Sequence, residues 1–377
     1  MMSRLLFCLL LPVLLLGCNA TQKSTDSALT NHSALPVNTA GNGQLERLYT
    51  FAERLAQRLN NKDIDGLWRR DLVIEHMRAT GEEPINAQMF AQLFEHRFNT
   101  LVSNSSDWRV DAVRDGQILL SNNVSGLPGV AVIYFRTNPL TSEPELLDWQ
   151  LQDAFSRGSN VFGAYMQHAP NLTNSGFLAL ASHVKQGRAL SLDEVVEVYH
   201  RFSDEVKQDP IIMGDFLSFT GKLEMDLPRD ILIEIHTNRP ALTLDNGQPL
   251  ANLAAMAGDL DNSLRAFELG KANYGETSTN QRLIYAINLA SSGFIPEANK
   301  VFIEYCRAHP QEFRGVLIYF LLLVELGAFD DAAVVKQAMR LQFQIDPDKE
   351  VIRNSDDSID NTKLRAFMAS PANQALN

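Results

Sequence analysis

The chain has 377 residues, an ordinary apolar content of 45% and a net charge of −12 at neutral pH. This acidic balance disfavours nucleic acid as a partner, because a negative surface repels phosphate backbones. The length is sufficient for two domains. Two of the three cysteines, Cys8 and Cys18, lie close to the N-terminus, and the third is Cys306. We therefore expect no disulfide within the folded part, and the apolar neighbours of Cys306 predict a buried, inert thiol.

The chain begins with a short targeting segment. Arg4 precedes an apolar run over residues 5–16, which is the pattern of an export signal. Such a run of about a dozen residues is too short for a bilayer core that needs about 20. The run ends in Leu15-Leu16-Gly17-Cys18, which resembles the lipobox of bacterial lipoproteins. A plain secretory signal and an uncleaved anchor helix are the two alternatives.

The lipobox resemblance implies that residues 1–17 are a signal peptide and that Cys18 becomes the lipid-attachment site. Cys18 would then carry fatty acyl chains such as palmitate, and each buried methylene would contribute about 0.8 kcal/mol to anchoring. Asn19 follows the cysteine. In the family's sorting rule, a residue other than aspartate at this place favours the outer membrane, facing the periplasm in a Gram-negative cell. Residues 18–43 are rich in small polar residues, which predicts a flexible tether.

Residues 44–155 predict an α+β domain. Helical periodicity at residues 44–60 and 86–102 is followed by alternating patterns typical of antiparallel strands. Helices on a curved sheet resemble the NTF2-like fold, carried by residues 61–67 and 147–151, and this resemblance implies a pocket. A simple hairpin sheet packed on helices is the alternative.

A pocket in this domain would make a ligand-binding protein or hydrolase the alternative function. Its acid–base candidates are His96, Asp148 and Asp153, although an exposed or satisfied histidine is the plainer interpretation. The sequence holds no nucleotide-binding loop, serine elbow or metal-ligand spacing. We therefore assign no catalytic residue, no metal and no cofactor.

Residues 175–240 predict further helices that extend the repeats described next. The segment Ser191-Leu192-Asp193-Glu194 is a capping box, the usual start of a helix. An amphipathic pattern follows it.

A helical repeat occupies residues 246–342. Gly258, Gly293 and Gly327 lie 35 and 34 residues apart, each after an apolar helical pattern. Glycine there ends a helix in a left-handed turn. Small residues follow at the same spacing and would let a second helix approach the first. These small residues are Ser263, Ala298 and Ala332.

This 34-residue pattern resembles the tetratricopeptide repeat, whose units stack into an all-α solenoid. The resemblance extends to Ala251 and Ala286 in the first helices, Phe267 and Phe302 in the second helices, and the closing Pro310. Phe320, Lys336 and Gly270 depart from the pattern, and an unrelated helical bundle is the alternative. Residues 343–377 are a polar tail in which residues 363–368 predict a short capping helix.

These patterns together predict a membrane-anchored lipoprotein of the cell envelope. Stacked helix pairs form a groove suited to a protein or peptide, so we expect a scaffold whose partner is an envelope protein or peptide. The membrane would be reached through the acyl chains of Cys18. A purely structural spacer is a further alternative.

Overall fold

The computed structural model describes residues 42–79, 87–114, 116–124, 127–151, 157–186, 188–223, 225–242, 246–274, 279–345 and 362–375. The predicted signal peptide, Cys18, most of the tether and Asp153 lie outside these residues. None of the helices within the described ranges has the length and hydropathy needed to cross a bilayer.

The N-terminal part is an α+β unit, as predicted. Its helices are α1 (Asn42–Asn60), α2 (Arg70–Ala79) and α3 (Ala87–Ser103). Its strands are β1 (Ser105–Arg114), β2 (Gln117–Val124), β3 (Leu127–Thr137) and β4 (Pro144–Leu151), which pair antiparallel in the order β1-β2-β3-β4. Register shifts in β1 and at Tyr134/Phe135 mark irregularities of the kind that bend a sheet.

One face of the sheet, its inner face, packs on α1–α3. Alternate strand residues such as Ile118, Leu120 and Ile133 point into this core. Trp68 meets Phe94 and Phe98 edge to face, with ring centroids 4.9 and 5.0 Å apart. The space between helices and sheet is therefore filled by aromatic side chains.

Helices make up the rest of the described chain. The first six are α4 (Gly158–Ser175), α5 (Phe177–Lys185), α6 (Leu192–His200), α7 (Asp204–Gln208), α8 (Pro210–Lys222) and α9 (Arg229–Thr237). The predicted capping box is confirmed at the start of α6. Glu194 N–H donates to Ser191 Oγ and Ser191 N–H donates to the Glu194 carboxylate.

Six further helices form three consecutive hairpins, called here the hairpin stack. They are α10 (Gly247–Ala257), α11 (Leu260–Tyr274), α12 (Thr279–Ser291), α13 (Ile295–Ala308), α14 (Phe313–Glu325) and α15 (Phe329–Phe343). Helices α10, α12 and α14 are the first helices. Each packs against the second helix that follows it, and α12 also packs against both α10 and α14. Two short helices, α16 (Thr362–Ala369) and α17 (Pro371–Gln374), lie at the C-terminus. One apolar core runs from Ala164 to Phe367, so α4–α9 and the hairpin stack are continuous.

Candidate interaction surface

The same backbone turn joins the two helices of every hairpin. Gly258, Gly293 and Gly327 have φ values of 84°, 90° and 74°, which an L side chain adopts only with strain. In each turn the N–H of the glycine donates a hydrogen bond to the backbone carbonyl three residues earlier. The N–H of the next residue donates to the carbonyl five residues before it. This is the hydrogen-bond pattern of a glycine-terminated helix end, and it explains the glycine spacing.

Small residues are buried in the helices of the hairpins. Ser263, Ala298 and Ala332 are fully buried. The backbone N–H of each donates a hydrogen bond to the carbonyl of the residue that follows the turn glycine. Ala251 and Ala286 on the first helices are also fully buried. Each position therefore has no room for a larger side chain.

Gly270, which departs from the repeat pattern, has a local explanation. A Cβ atom on its partner Gly247 would lie 2.6 Å from the Gly270 nitrogen and 2.7 Å from its Cα. The backbones of α10 and α11 thus meet at two glycines, closer than alanine allows. Near the end of the third hairpin, the side-chain amide of Gln342 on α15 donates a hydrogen bond to the backbone carbonyl of Pro310, which follows the second hairpin.

Each of the first two hairpins is joined to the next by a stacked pair of rings. Phe267 stacks on Tyr285 with centroids 3.9 Å apart, and Phe302 stacks on Tyr319 at 4.0 Å. The phenol groups are also hydrogen-bonded. The hydroxyl of Tyr285 bonds with that of Ser263 at 2.8 Å, and the hydroxyl of Tyr319 donates to Asn299 at 2.8 Å. Burial raises the pKa of Tyr285 to about 12 and raises that of Tyr319 as well, so both phenols stay neutral. The sequence analysis missed both tyrosines, although they lie 34 residues apart.

The C-terminal helices close the third hairpin. In the third hairpin, Lys336 stands at the repeat position that Phe267 and Phe302 hold in the first two. Its ammonium lies 5.5 Å from the ring centroid of Phe367 on α16. Phe367 also packs edge to face on Phe320, with centroids 5.5 Å apart. A segment beyond the last hairpin therefore takes the place that a further first helix would occupy.

The first helices are covered by other parts of the same chain. Every residue of α14 from Gly315 to Glu325 is buried. Helix α12 packs against β2 and β3, on the face of the sheet that points away from α1–α3. The side of α12 where the sequence analysis expects a groove is therefore covered by the sheet.

The apolar part of this contact centres on Ile284. It packs on the outer face of the sheet, where five residues form a small buried cluster. The five are Ala112, Leu119, Val130, Val132 and Tyr134. A crevice lined by Ala112, Arg114, Gln117, Leu119 and Val132 lies on this same face. The apolar cluster on the outer face is thus smaller than the aromatic core on the other side.

The polar part of the contact lies along the other half of the sheet. Asn280 Nδ2 donates to the backbone carbonyls of Asn122 at 2.9 Å and Gly129 at 3.0 Å. Two ion pairs join β1 to the start of α14. Arg109 on β1 pairs at 2.9 Å with Glu312, which precedes the helix, and Asp107 on β1 pairs at 3.3 Å with Arg314 in its first turn. All four charged side chains are partly exposed, so salt screens their attraction.

Of the residues singled out for acid–base chemistry, His96 and Asp148 lie in different surroundings, and Asp153 is outside the described residues. His96 is exposed on α3, whereas Asp148 is fully buried in β4. Asp148 accepts hydrogen bonds from the hydroxyl and the N–H of Ser159 at the start of α4, and its carboxylate lies 3.7 Å from Nε2 of His76. Ser159 is also fully buried, so these groups form an internal brace between β4 and α4. The hydrogen-bond partner of Asp148 is thus Ser159, and the histidine beside it is His76; the sequence analysis singled out neither.

The remaining cysteine, Cys306, is half-buried, whereas the sequence predicted a buried thiol. Burial raises the pKa of Cys306 to about 11, so the reactive thiolate is scarce at neutral pH. Among the described residues, no group of three or more histidine, cysteine or acidic side chains is arranged to hold a metal ion.

The hairpin stack and the sheet docked on it are thus the part of the chain with the strongest internal pattern. Neither a protein-family model, a curated protein nor a solved structure matches the chain.

Proposed function

We propose that this protein is a lipid-anchored scaffold of the cell envelope that binds a protein or peptide partner through the hairpin stack. The anchor would be the acylated Cys18, with the folded part held by the tether of residues 18–43 on the periplasmic side of the outer membrane. The stack would be a short solenoid of the tetratricopeptide type. The partner would be another envelope protein or an exposed segment of one.

The observation that carries this proposal is the repeated join between hairpins. Phe267 and Phe302, from two successive hairpins, stack on tyrosines that lie 34 residues apart. A glycine makes the same turn in each of the three hairpins. Repeats that contact only their neighbours build extended surfaces, which suit a long polypeptide ligand better than a small molecule. The polar cluster that the structure describes in the N-terminal part, Asp148 with Ser159 and His76, is an internal brace and lines no described pocket, which favours binding over hydrolysis.

We expect the partner on the side of α12 that carries Asn280 and Ile284, the two residues that contact the sheet. Asn280, Ile284 and Asn288 are spaced by four residues and therefore share one side of the helix. Asn280 donates hydrogen bonds to main-chain carbonyls, which are present in any polypeptide. This chemistry suits an extended protein segment.

Site-specific photocrosslinking in living cells tests the proposal. A photoreactive amino acid would replace Asn288 on α12 or, as the matched control, the exposed Val334 on the second helix α15. We expect one discrete crosslinked partner in the membrane fraction from position 288 and none from position 334. If position 288 yields no crosslink while the protein is folded and abundant, the scaffold proposal is wrong.

A further inference from the structure

The side of α12 that the proposed function assigns to a partner already holds part of this chain. The sheet lies on it through Ile284 and Asn280, and the two ion pairs close the contact at β1. A partner segment must therefore compete with the sheet for the same side chains.

The two faces of the sheet are held with very different strength. The inner face packs on a core that includes Trp68, Phe94, Phe98 and Trp149. The outer face has a small apolar cluster with a crevice beside it, and exposed ion pairs contribute little on average. Since apolar burial dominates such contacts, the outer contact is the weaker one and opens first.

The two edges of the sheet also differ. At the β4 edge, Asp148 binds Ser159 by buried hydrogen bonds, and Arg157 lies over the ring of Tyr134 with 3.9 Å to its centroid. At the β1 edge, the ties to the stack are the partly exposed pairs of Arg109 and Arg314. Opening at β1 about a hinge along β4 and α4 thus breaks the exposed contacts and keeps the buried ones.

We propose that the sheet is a built-in competitor for α12. It lifts from the hairpin stack at the β1 edge while its inner core on α1–α3 stays intact, and an extended partner segment then accepts the hydrogen bonds of Asn280. The identity of the occupant rests on the proposed function, whereas the lifting of the sheet is a property of this chain alone.

Thiol labelling of two adjacent residues on β3 tests the lifting. In the full chain with Cys8, Cys18 and Cys306 replaced by serine, Val132→Cys reports on the outer face and Ile133→Cys reports on the inner core. The two side chains are 1% and 0% exposed and point to opposite faces, so they form a matched pair. We expect the maleimide labelling rate of Val132→Cys to exceed that of Ile133→Cys by about tenfold or more, and to rise further with salt.

Charge variants test the latch at β1. Arg109→Glu places two acidic groups together at Glu312, so we expect labelling of Val132→Cys to accelerate by several-fold and that of Ile133→Cys to stay constant. Adding Glu312→Arg restores an ion pair and should return the slow rate. Equal rates for the two cysteines, with no response to salt or to Arg109→Glu, would show that sheet and stack open only together and would overturn the inference.

The competition itself is read from the photocrosslink at position 288. Its yield should rise in Arg109→Glu and fall again when Glu312→Arg is added. An unchanged yield overturns the competition even if the sheet lifts. Because labelling needs no partner, a failure of the scaffold proposal leaves the labelling result intact, and the two failures are distinguishable.

Discussion

The ring of Phe302 lies face to face with that of Tyr319, with centroids 4.0 Å apart and planes 19° apart. One residue belongs to the second helix of a hairpin and the other to the first helix of the next. The pair therefore joins two neighbouring units, and its counterpart one repeat earlier is Phe267 on Tyr285. This join makes the stability of one hairpin depend on the next.

Removal of the Phe302 ring should weaken the whole stack. Phe302 is 5% exposed, so Phe302→Ala leaves a cavity, and we expect a loss of about 3–5 kcal/mol in the free energy of unfolding. The adjacent Ile303 is 49% exposed, and Ile303→Ala should cost less than about 1 kcal/mol. Urea unfolding followed by circular dichroism measures both. Similar losses for the two variants would contradict the assigned packing.

The turn glycines should tolerate substitution less well than a glycine in a helix. Gly293→Ala forces an alanine to φ of 90°, and we expect a loss of about 1–2 kcal/mol. Gly221 lies inside α8 with open space around it, so Gly221→Ala should instead stabilise the protein by about 0.5–1 kcal/mol. Opposite signs in thermal unfolding are the expected result, and equal signs would argue against the turn geometry.

Two neighbouring asparagines on β2 should respond in opposite ways. The side-chain amide of Asn122 is buried without a hydrogen-bond partner, so Asn122→Val should stabilise the protein by about 1–2 kcal/mol. Asn123 Nδ2 donates to Asp107 at 2.6 Å, and Asn123→Val should cost about 0.5–1.5 kcal/mol because this hydrogen bond is lost, while the exposed carboxylate keeps its contact with Arg314. Chemical denaturation of both variants checks the pair. A destabilising Asn122→Val would mean that its amide has a partner.

Stability should fall in acid partly through Asp259. Hydrogen bonds from Asn262, and then from His236, hold the pKa of Asp259 below its usual value. Its contribution is therefore fully present above the unfolded pKa of about 4 and is lost as pH falls through the lower folded pKa. The difference in unfolding free energy between the wild type and Asp259→Asn should be largest near neutral pH and shrink in acid. A difference that is constant across this range would rule the contribution out.

Local patterns predicted most of the elements but not how they meet. Helical and alternating periodicity placed α1, α3 and the four strands, and glycine spacing placed the turns at Gly258, Gly293 and Gly327. The docking of the sheet on α12 was not predicted, because Asn280 and Gly129 are far apart in sequence. The local sequence around a hydrogen-bond donor does not identify its acceptor. For the same reason the sequence paired Asp148 with His96, whereas the fold brings it to His76 and Ser159.

The tyrosines at 285 and 319 show a different kind of miss. Their spacing was available in the sequence, but neither tyrosine was included in the apolar stripes assigned to the first helices. Stacking depends on ring orientation, which periodicity does not contain. A search for aromatic residues at the repeat period would have found them.

The lipid on Cys18 is the central claim, because the proposed scaffold acts at a membrane only if this anchor is present. Mass spectrometry of the N-terminal peptide, purified from the membrane fraction of the native host, tests it most directly. We expect the peptide to begin at Cys18 and to carry the added mass of acyl chains, and we expect Cys18→Ser to leave the precursor unprocessed. A peptide that begins at another residue, or an unmodified Cys18, would contradict this claim.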